Sequence, residues 1–257
     1  MQLLKDKVVF LTGGTEGIGF ECAKVFRAAG AQLSIIANCH ESIERANEKL
    51  NGDDVLYVKA DVSKGDEIKN AIEKTVERFG KINVIHNNAG ISDPSKPLHE
   101  TTEEEWGRLF DVNVKGLYNT TRYGINELIK TKGNILSTSS ITAEIGQDIH
   151  AAYTATKGAI NSLTKSMSID YAHLGIRVNA IAPAGVWTPM LRNWSSQQPD
   201  PSSIEKYLDN IHLLGYCPEA DVIADACLFL ISEQARFITG CIMPVSAGAE
   251  LGYRTNK

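Results

Sequence analysis

No run of 18 apolar residues occurs in the 257-residue sequence, and a membrane-spanning helix needs about that many. The nearest approach, VIADACLFLI at 222–231, is broken by Asp225. A basic surplus is also missing. The formal net charge is −5, and no Lys/Arg stripe supplies the electrostatic footprint of a nucleic-acid binder. The five cysteines are scattered and odd in number, with no C-x-x-C, which excludes a disulfide framework and points to free thiols in a reducing compartment. The six histidines show neither H-x-x-x-H spacing nor clustering with cysteine along the chain, so no metal site is expected. MQLLKDKVVFLTGG ends its apolar run in glycines, not at a small-residue cleavage site, and the closing RTNK carries no lipidation or peroxisomal signal. The expected compartment is the cytosol, and neither a membrane nor a nucleic acid is an expected partner.

What is present is alternation. Short β-branched runs at 7–13, 32–37, 55–60, 82–87, 133–139, 176–182 and 241–246 read as strands, several of them apolar throughout, as strands buried on both faces of a parallel sheet are. Amphipathic stretches lie between them. KGDEIKNAIEKTVERFG places Ile68, Ile72, Val76 and Phe79 three or four residues apart and closes on a glycine, which predicts a helix. Strands alternating with helical crossovers predict an α/β fold, a doubly wound, Rossmann-type, mainly parallel seven-stranded sheet with helices on both faces. No linker or repeat divides residues 1–257, so a single domain is expected, with a cofactor half over about 1–150 and a catalytic and substrate-loop half over about 151–257. Residues 182–216, dense in Pro, Ser and aromatics, read as one long irregular loop.

LTGGTEGIGFECAKVF sets Gly13, Gly17 and Gly19 between the first strand and the first helix. Glycines there allow a sharp turn and close approach of phosphate oxygens to the backbone, and the helix N-terminus adds free N–H groups. The spacing is G-x-x-x-G-x-G, which by itself is also compatible with a plain tight turn.

Tyr153 and Lys157 stand four positions apart in HAAYTATKGAI. With 8 tyrosines and 17 lysines in the chain, chance yields roughly 0.5 such pairs, and a second one, Tyr253–Lys257, closes the sequence. On a helix, positions 153 and 157 share a face. An ammonium ~4 Å from a phenol, at an effective dielectric near 20, favours phenolate by roughly 4 kcal/mol. That is enough to bring a pKa near 10 down toward neutrality.

The glycine pattern, NNAG at 87–90, NVKG at 113–116, STSS at 137–140 and YTATK at 153–157 together resemble the short-chain dehydrogenase/reductase family, in order and spacing, over essentially the whole chain. Further segments (IGQ before the tyrosine, VWTP, PDPSSI, GAELGY) resemble family members that oxidise 17β-hydroxysteroids or L-fucose. The resemblance implies Tyr153 as general acid/base and Lys157 as its partner and ribose ligand. It implies Ser140 as holder of the substrate oxygen, with Ser139 as rival, and Asn113 in a proton relay. It implies a nicotinamide cofactor held by Gly13, Thr15, Glu16, Gly17, Ile18, Gly19, Asn38, Asp61, Val62, Asn87, Ala89, Gly90, Tyr153, Lys157, Pro183, Val186 and Thr188. The alternative role for Asp61 is to cap the helix beginning near Ser63. Candidate substrate contacts are Gln147, His150, Trp187, Met190, Arg192 and Asn193, although Trp187 and Met190 could simply pack the loop. NAD is expected over NADP, because no Arg or Lys occupies position 16 or 38 and Glu16 would repel a 2′-phosphate. The usual acidic residue is absent at Ala37, PAG replaces the common Pro-Gly after the sixth strand, and Ile91–Ser92 stands where the steroid-oxidising relatives carry a histidine. The resemblance further implies a homotetramer, with Tyr253 near a neighbouring subunit's pocket, and an alcohol or ketone substrate. Reduction of small carbonyls or 3-oxoacyl thioesters, and a non-catalytic NAD(H)-binding regulator, stay open at this point.

Overall fold

Why the apolar runs of the sequence lie side by side is visible in the computed structural model, which describes residues 2–251; Tyr253 and Lys257 fall outside them. Seven strands form one sheet: β1 (Val8–Thr12), β2 (Gln32–Ala37), β3 (Val55–Lys59), β4 (Val84–Asn87), β5 (Asn134–Thr138), β6 (Arg177–Pro183) and β7 (Ile242–Val245). Their order is β3-β2-β1-β4-β5-β6-β7, and every pairing is parallel. The order reverses between β1 and β4, so the carboxyl ends of these strands open a crevice.

Successive strand residues point to opposite faces, and the core divides accordingly. Val9, Leu11, Leu33, Ile35 and Val84 pack in one layer with α1 (Gly17–Ala28) and α10 (Asp221–Ile231). Phe10, Ile36 and Ile85 pack in the other with α3 (Gly65–Phe79), α5 (Gly116–Thr131) and α7 (Ala151–Ala172). Helices therefore cover both faces. Each fully buried Leu, Ile or Phe in these layers contributes roughly 1.5–3 kcal/mol. The remaining helices are α2 (His40–Lys49), α4 (Glu103–Phe110), α6 (Thr142–Ile145), α8 (Pro189–Ser196) and α9 (Pro201–Ile211).

Three local details have readable causes. Gly80 ends α3 in the left-handed region, at φ 77°, the conformation in which glycine is least strained. A capping box of Thr102 and Glu105 starts α4. Between α4 and α5 the chain winds as one π-helical turn over Asp111–Lys115, which contains Asn113; such turns gather at functional sites.

The expected long loop at 182–216 is instead two helices. Thr188 caps α8, with its side chain accepting from Leu191 N–H, and Asp200 caps α9 by accepting from Ser202 and Ser203 N–H. Each cap is followed by proline at the first helical position, where its missing N–H costs nothing. The prolines that made this segment look irregular are helix starts.

Candidate active site

The glycine loop leaves β1 and enters α1 against β4's continuation. A Cβ on Gly19 would stand 2.1 Å from the Gly13 carbonyl oxygen, and one on Gly13 would stand 2.9 Å from Ala89 Cα. A Cβ on Gly17, at φ 52°, would meet the Thr188 side chain at 3.2 Å. Three segments distant in sequence thus converge on a cradle that tolerates only glycine. Thr12 Oγ1 accepts from Asn88 N–H and Ala89 N–H, and Asn88 Nδ2 donates to the Gly13 carbonyl. Thr15 donates to Ser42 Oγ and so ties the loop to α2. Ile18 lies in the first turn of α1, packed on the core.

Past β3, Asp61 accepts from Ser63 N–H and Oγ–H while its own N–H donates to Glu67. It forms a local turn; the residue at the cap position of α3 is Lys64. Gly116 leaves room for Val62, whose side chain would be 2.9 Å from a Cβ there. Asn87 Oδ1 accepts from Thr120, whereas its Nδ2 is buried with no partner. Gly90 sits beside Asn113 Oδ1 and Lys157 Nζ. A backbone cradle that a Cβ would fill, together with this unpaired donor, fits a dinucleotide lying across the sheet edge. Asn38 is exposed just past β2. Glu16 is not an isolated anion, because Arg45 from α2 reaches it at 3.3 Å. The sequence alone hid this pairing, since the two residues stand far apart along the chain.

Strand β5 and helix α7 build the reactive corner. Ser139 and Ser140 follow β5 and face opposite ways. Ser139 Oγ, buried, donates to Asn161 Oδ1 at 2.6 Å. Ser140 Oγ accepts from Thr142 N–H and Thr142 Oγ1, which leaves its own proton free, and it lies near enough to the Tyr153 phenol to act on it. Tyr153 and Lys157 lie one turn apart on α7, with Lys157 Nζ 5.5 Å from the phenol ring centroid. Lys157 Nζ donates to the Thr138 carbonyl at 2.8 Å. No hydrogen bond joins the ammonium to the phenol oxygen. Burial pushes Tyr153 up to about 12, opposed by the Ser140 hydrogen bond, and burial pushes Lys157 down to about 8.

The Asn113 side chain is fully engaged. Its Nδ2 donates to the Ile91 carbonyl and to Thr156 Oγ1, and its Oδ1 accepts from Ile91 N–H. It ties the segment after NNAG to the tyrosine helix. Beside it lies a cavity of ≈ 10 Å³ lined by Thr12, Asn87, Asn113 and Thr138, about the size that holds one water.

The six substrate candidates are not brought to one place. Met190 accepts a hydrogen bond from Ser92 Oγ. Two positions further along α8, Arg192 points the other way, because neighbours two apart on a helix lie on nearly opposite faces. Arg192 pairs with Glu219 and stacks over Trp187 at 5.0 Å. The backbone N–H of Trp187 donates to the Pro218 carbonyl. Trp187 and Arg192 line an open groove of ≈ 830 Å³ with Gly17, Phe20 and Asp221, away from Tyr153. Asn193 is exposed and accepts from Gln197, and Gln147 is exposed. His150 is buried, with both ring nitrogens engaged by Asp148 O and Ser95 Oγ, and its ring meets Tyr153 edge-on at 6.3 Å. In the protein alone, Arg192 is paired with Glu219, and His150 with Asp148 and Ser95.

Thr12, Asn88, Thr138, Thr156 and Ser95 hold this site together and were not singled out by sequence. Thr12 and Asn88 stand inside the very motifs quoted, yet a threonine or asparagine beside a glycine carries no signal of which backbone group it will bind. The expectation of no Cys/His clustering also changes in three dimensions, because Cys22, His86 and Cys227 meet in the interior.

Comparisons with known proteins agree with this geometry. The family described as enoyl-(acyl carrier protein) reductase matches residues 13–250. L-fucose dehydrogenase of Bos taurus is 36% identical over 248 residues, covering 96% of this chain and 90% of that one. Glucose 1-dehydrogenase 2 of Bacillus subtilis is 32% identical over 255 residues, covering 96% of each. The crystal structure of a 3-ketoacyl-(acyl-carrier-protein) reductase from Brucella melitensis complexed with NADH superposes with a TM-score of 0.89 at 32% identity, covering 96% of this chain and all of that one. With its parallel sheet, its glycine cradle and its Ser140–Tyr153–Lys157 corner, this chain belongs to the short-chain dehydrogenase/reductase family of nicotinamide-dependent oxidoreductases.

Proposed function

We propose that the protein is an NAD-dependent dehydrogenase that oxidises a secondary or anomeric alcohol of a sugar such as L-fucose. The observation that carries this reading is the grouping of Ser140, Tyr153 and Lys157 beside the glycine cradle. The cofactor, when bound, supplies the hydride acceptor for oxidation or the donor for reduction. Ser140 holds the substrate oxygen by its hydroxyl. Tyr153 Oη takes the alcohol proton during oxidation and returns it during reduction. Lys157, charged below its depressed pKa, stabilises the phenolate that must form. Asn113 keeps α7 and the Ile91 segment in register around that proton transfer.

A sugar is favoured over a steroid by polarity. Ser95 lies on the Tyr153 side through its contact with His150, and a hydroxyl and an imidazole there suit a polyol better than an apolar plate. The L-fucose and glucose dehydrogenase relatives support the same reading. Reduction of a 3-oxoacyl thioester is the second reading, supported by the Brucella neighbour and the family description. NAD is favoured over NADP because no cation occupies position 16 or 38, although Arg45 near Glu16 moderates the repulsion. A homotetramer is what the family resemblance implies, and exposed Tyr118, Ile169 and Phe237 offer apolar surface for contacts between subunits. A cytosolic location is supported by five free thiols.

The test is formation of reduced nicotinamide with NAD and NADP across L-fucose, other aldoses and 17β-hydroxysteroids, with Tyr153→Phe as control. Sugar turnover lost in the control supports the reading. Turnover confined to steroids, or only carbonyl reduction, replaces it.

A further inference from the structure

Cys22 on α1, His86 on β4 and Cys227 on α10 offer ligand atoms that all lie within 4.8 Å of one another. All three residues are completely buried. Strand alternation explains the meeting: His86 points to the same face as Val84, into the layer between α1 and α10, where the Phe26 ring lies 5.9 Å away. None of the three takes part in the acid/base chemistry above.

Hydrogen bonds determine which nitrogen of His86 is free. Asn88 Nδ2 donates to the Gly13 carbonyl, so Asn88 Oδ1 is an acceptor, and Thr138 Oγ1 donates its only proton to it at 3.1 Å. Toward His86 Nε2, 3.3 Å away, Thr138 can therefore only accept. Nε2 carries the ring proton and Nδ1 carries the lone pair. Nδ1 is buried with no hydrogen-bond partner. Cys22 is in interaction range of both the ring and Cys227. An unpaired imidazole nitrogen beside two thiols, its other nitrogen held by a hydroxyl, is the arrangement in which a histidine ligates metal.

We propose that Cys22, His86 and Cys227 form a binding site for a thiophilic d10 cation, Zn²⁺ or Cu⁺, separate from the catalytic centre. His86 Nδ1 donates its lone pair, and each sulfur that bonds the cation as thiolate releases its proton to solvent. Two thiolates cancel the charge of Zn²⁺ and one cancels that of Cu⁺, so either set enters the interior without net charge. Zinc bonds of about 2.0–2.3 Å place ligand atoms roughly 3.5 Å apart, so side-chain rotation of about an ångström closes the site. The cation would clamp α1 to α10 and β4 at the back of the glycine cradle.

The test uses the full chain carrying Cys39→Ala, which removes the exposed thiol, against the same chain with Cys22→Ala and Cys227→Ala. Metal-stripped protein is titrated with Zn²⁺ and with Cu⁺ against competing chelators, and with Co²⁺ to read thiolate-to-metal charge transfer. Melting temperature and circular dichroism are followed throughout. The expected result is one equivalent bound, a thiolate–cobalt band and a raised melting temperature, with binding weakened by roughly a hundredfold or more in the double variant. The Zn²⁺ and Cu⁺ arms identify which cation the site prefers. Equal affinity in a folded double variant, or no retention by the parent against the chelators, overturns the proposal. Should the double variant not fold, single Cys22→Ser and Cys227→Ser variants must each abolish the cobalt band; a band that survives in either also overturns it.

Discussion

Ser139 and Ser140 are neighbours in sequence and opposites in environment. Ser139 Oγ donates into the interior to Asn161, while Ser140 Oγ turns to the Tyr153 phenol. Ser140→Ala is expected to lower kcat by roughly a hundredfold, as removal of a transition-state hydrogen-bond donor does, with little change in stability. Ser139→Ala is expected to cost about 1–3 kcal/mol of stability by stranding the buried Asn161 oxygen, with a far smaller effect on kcat. Parallel denaturant unfolding and steady-state kinetics on the two variants check this, and a reversed pattern would exchange the two roles.

Lys157 is held charged at a cost. Its folded pKa of about 8 lies below the ordinary lysine value, so between about pH 8 and 10.4 the unfolded chain binds more protons than the folded one. Stability of the ligand-free protein is therefore expected to rise with pH through that window. Lys157→Met is expected to abolish turnover and yet raise unfolding stability at pH 7 by about 1–2 kcal/mol, burial relief partly offset by the lost bond to Thr138. Urea unfolding of both proteins at pH 7 and 9.5 decides it; a variant less stable at pH 7 would refute the account.

Tyr153 works as a base only when ionised, and burial holds it up near 12 in the protein alone. Alcohol oxidation is expected to rise with pH into the alkaline range, whereas carbonyl reduction is expected to stay nearly level with respect to Tyr153, because its acid form still dominates at about pH 10. Initial rates from pH 6 to 10 in both directions test the sign. Tyr153→Phe should remove at least about a thousandfold of either rate.

Gly19→Ala places a Cβ 2.1 Å from the Gly13 carbonyl oxygen. The loop must shift, so cofactor affinity is expected to fall at least tenfold while the sheet stays folded. Fluorescence titration with NADH measures it, and unchanged affinity would remove the cradle from the binding reading.

Arg192 and Glu219 form a largely exposed pair. Arg192→Ala is expected to change stability by less than about 1 kcal/mol and to leave KM for a sugar substrate within about threefold. A KM raised tenfold would restore Arg192 as a substrate ligand.

The sheet and its helices were legible because burial on two faces leaves a local mark: continuous apolar runs for β1 and β2, a three-and-four spacing for α3. The 182–216 segment misled because Thr188–Pro189 and Asp200–Pro201 resemble loop composition unless read as cap and first helical residue. Tyr153, Lys157 and the glycines were legible through spacing within short segments. The engagement of His150 by Ser95, of Glu16 by Arg45 and of Arg192 by Glu219 was not, since each joins residues that only the folded chain makes adjacent.

By itself, then, the sequence determined the alternation of strands and helices, the glycine turn into α1 and the four-residue step that sets Tyr153 and Lys157 on one helical face, because each depends on interactions within a few residues. The tertiary structure alone decided that Lys157 bonds Thr138, that Trp187 and Arg192 line a groove whose walls do not include Tyr153, and that Cys22, His86 and Cys227 share one buried point. Those outcomes depend on which strands become neighbours and which face each helix turns inward, and both are settled by global packing of the two core layers.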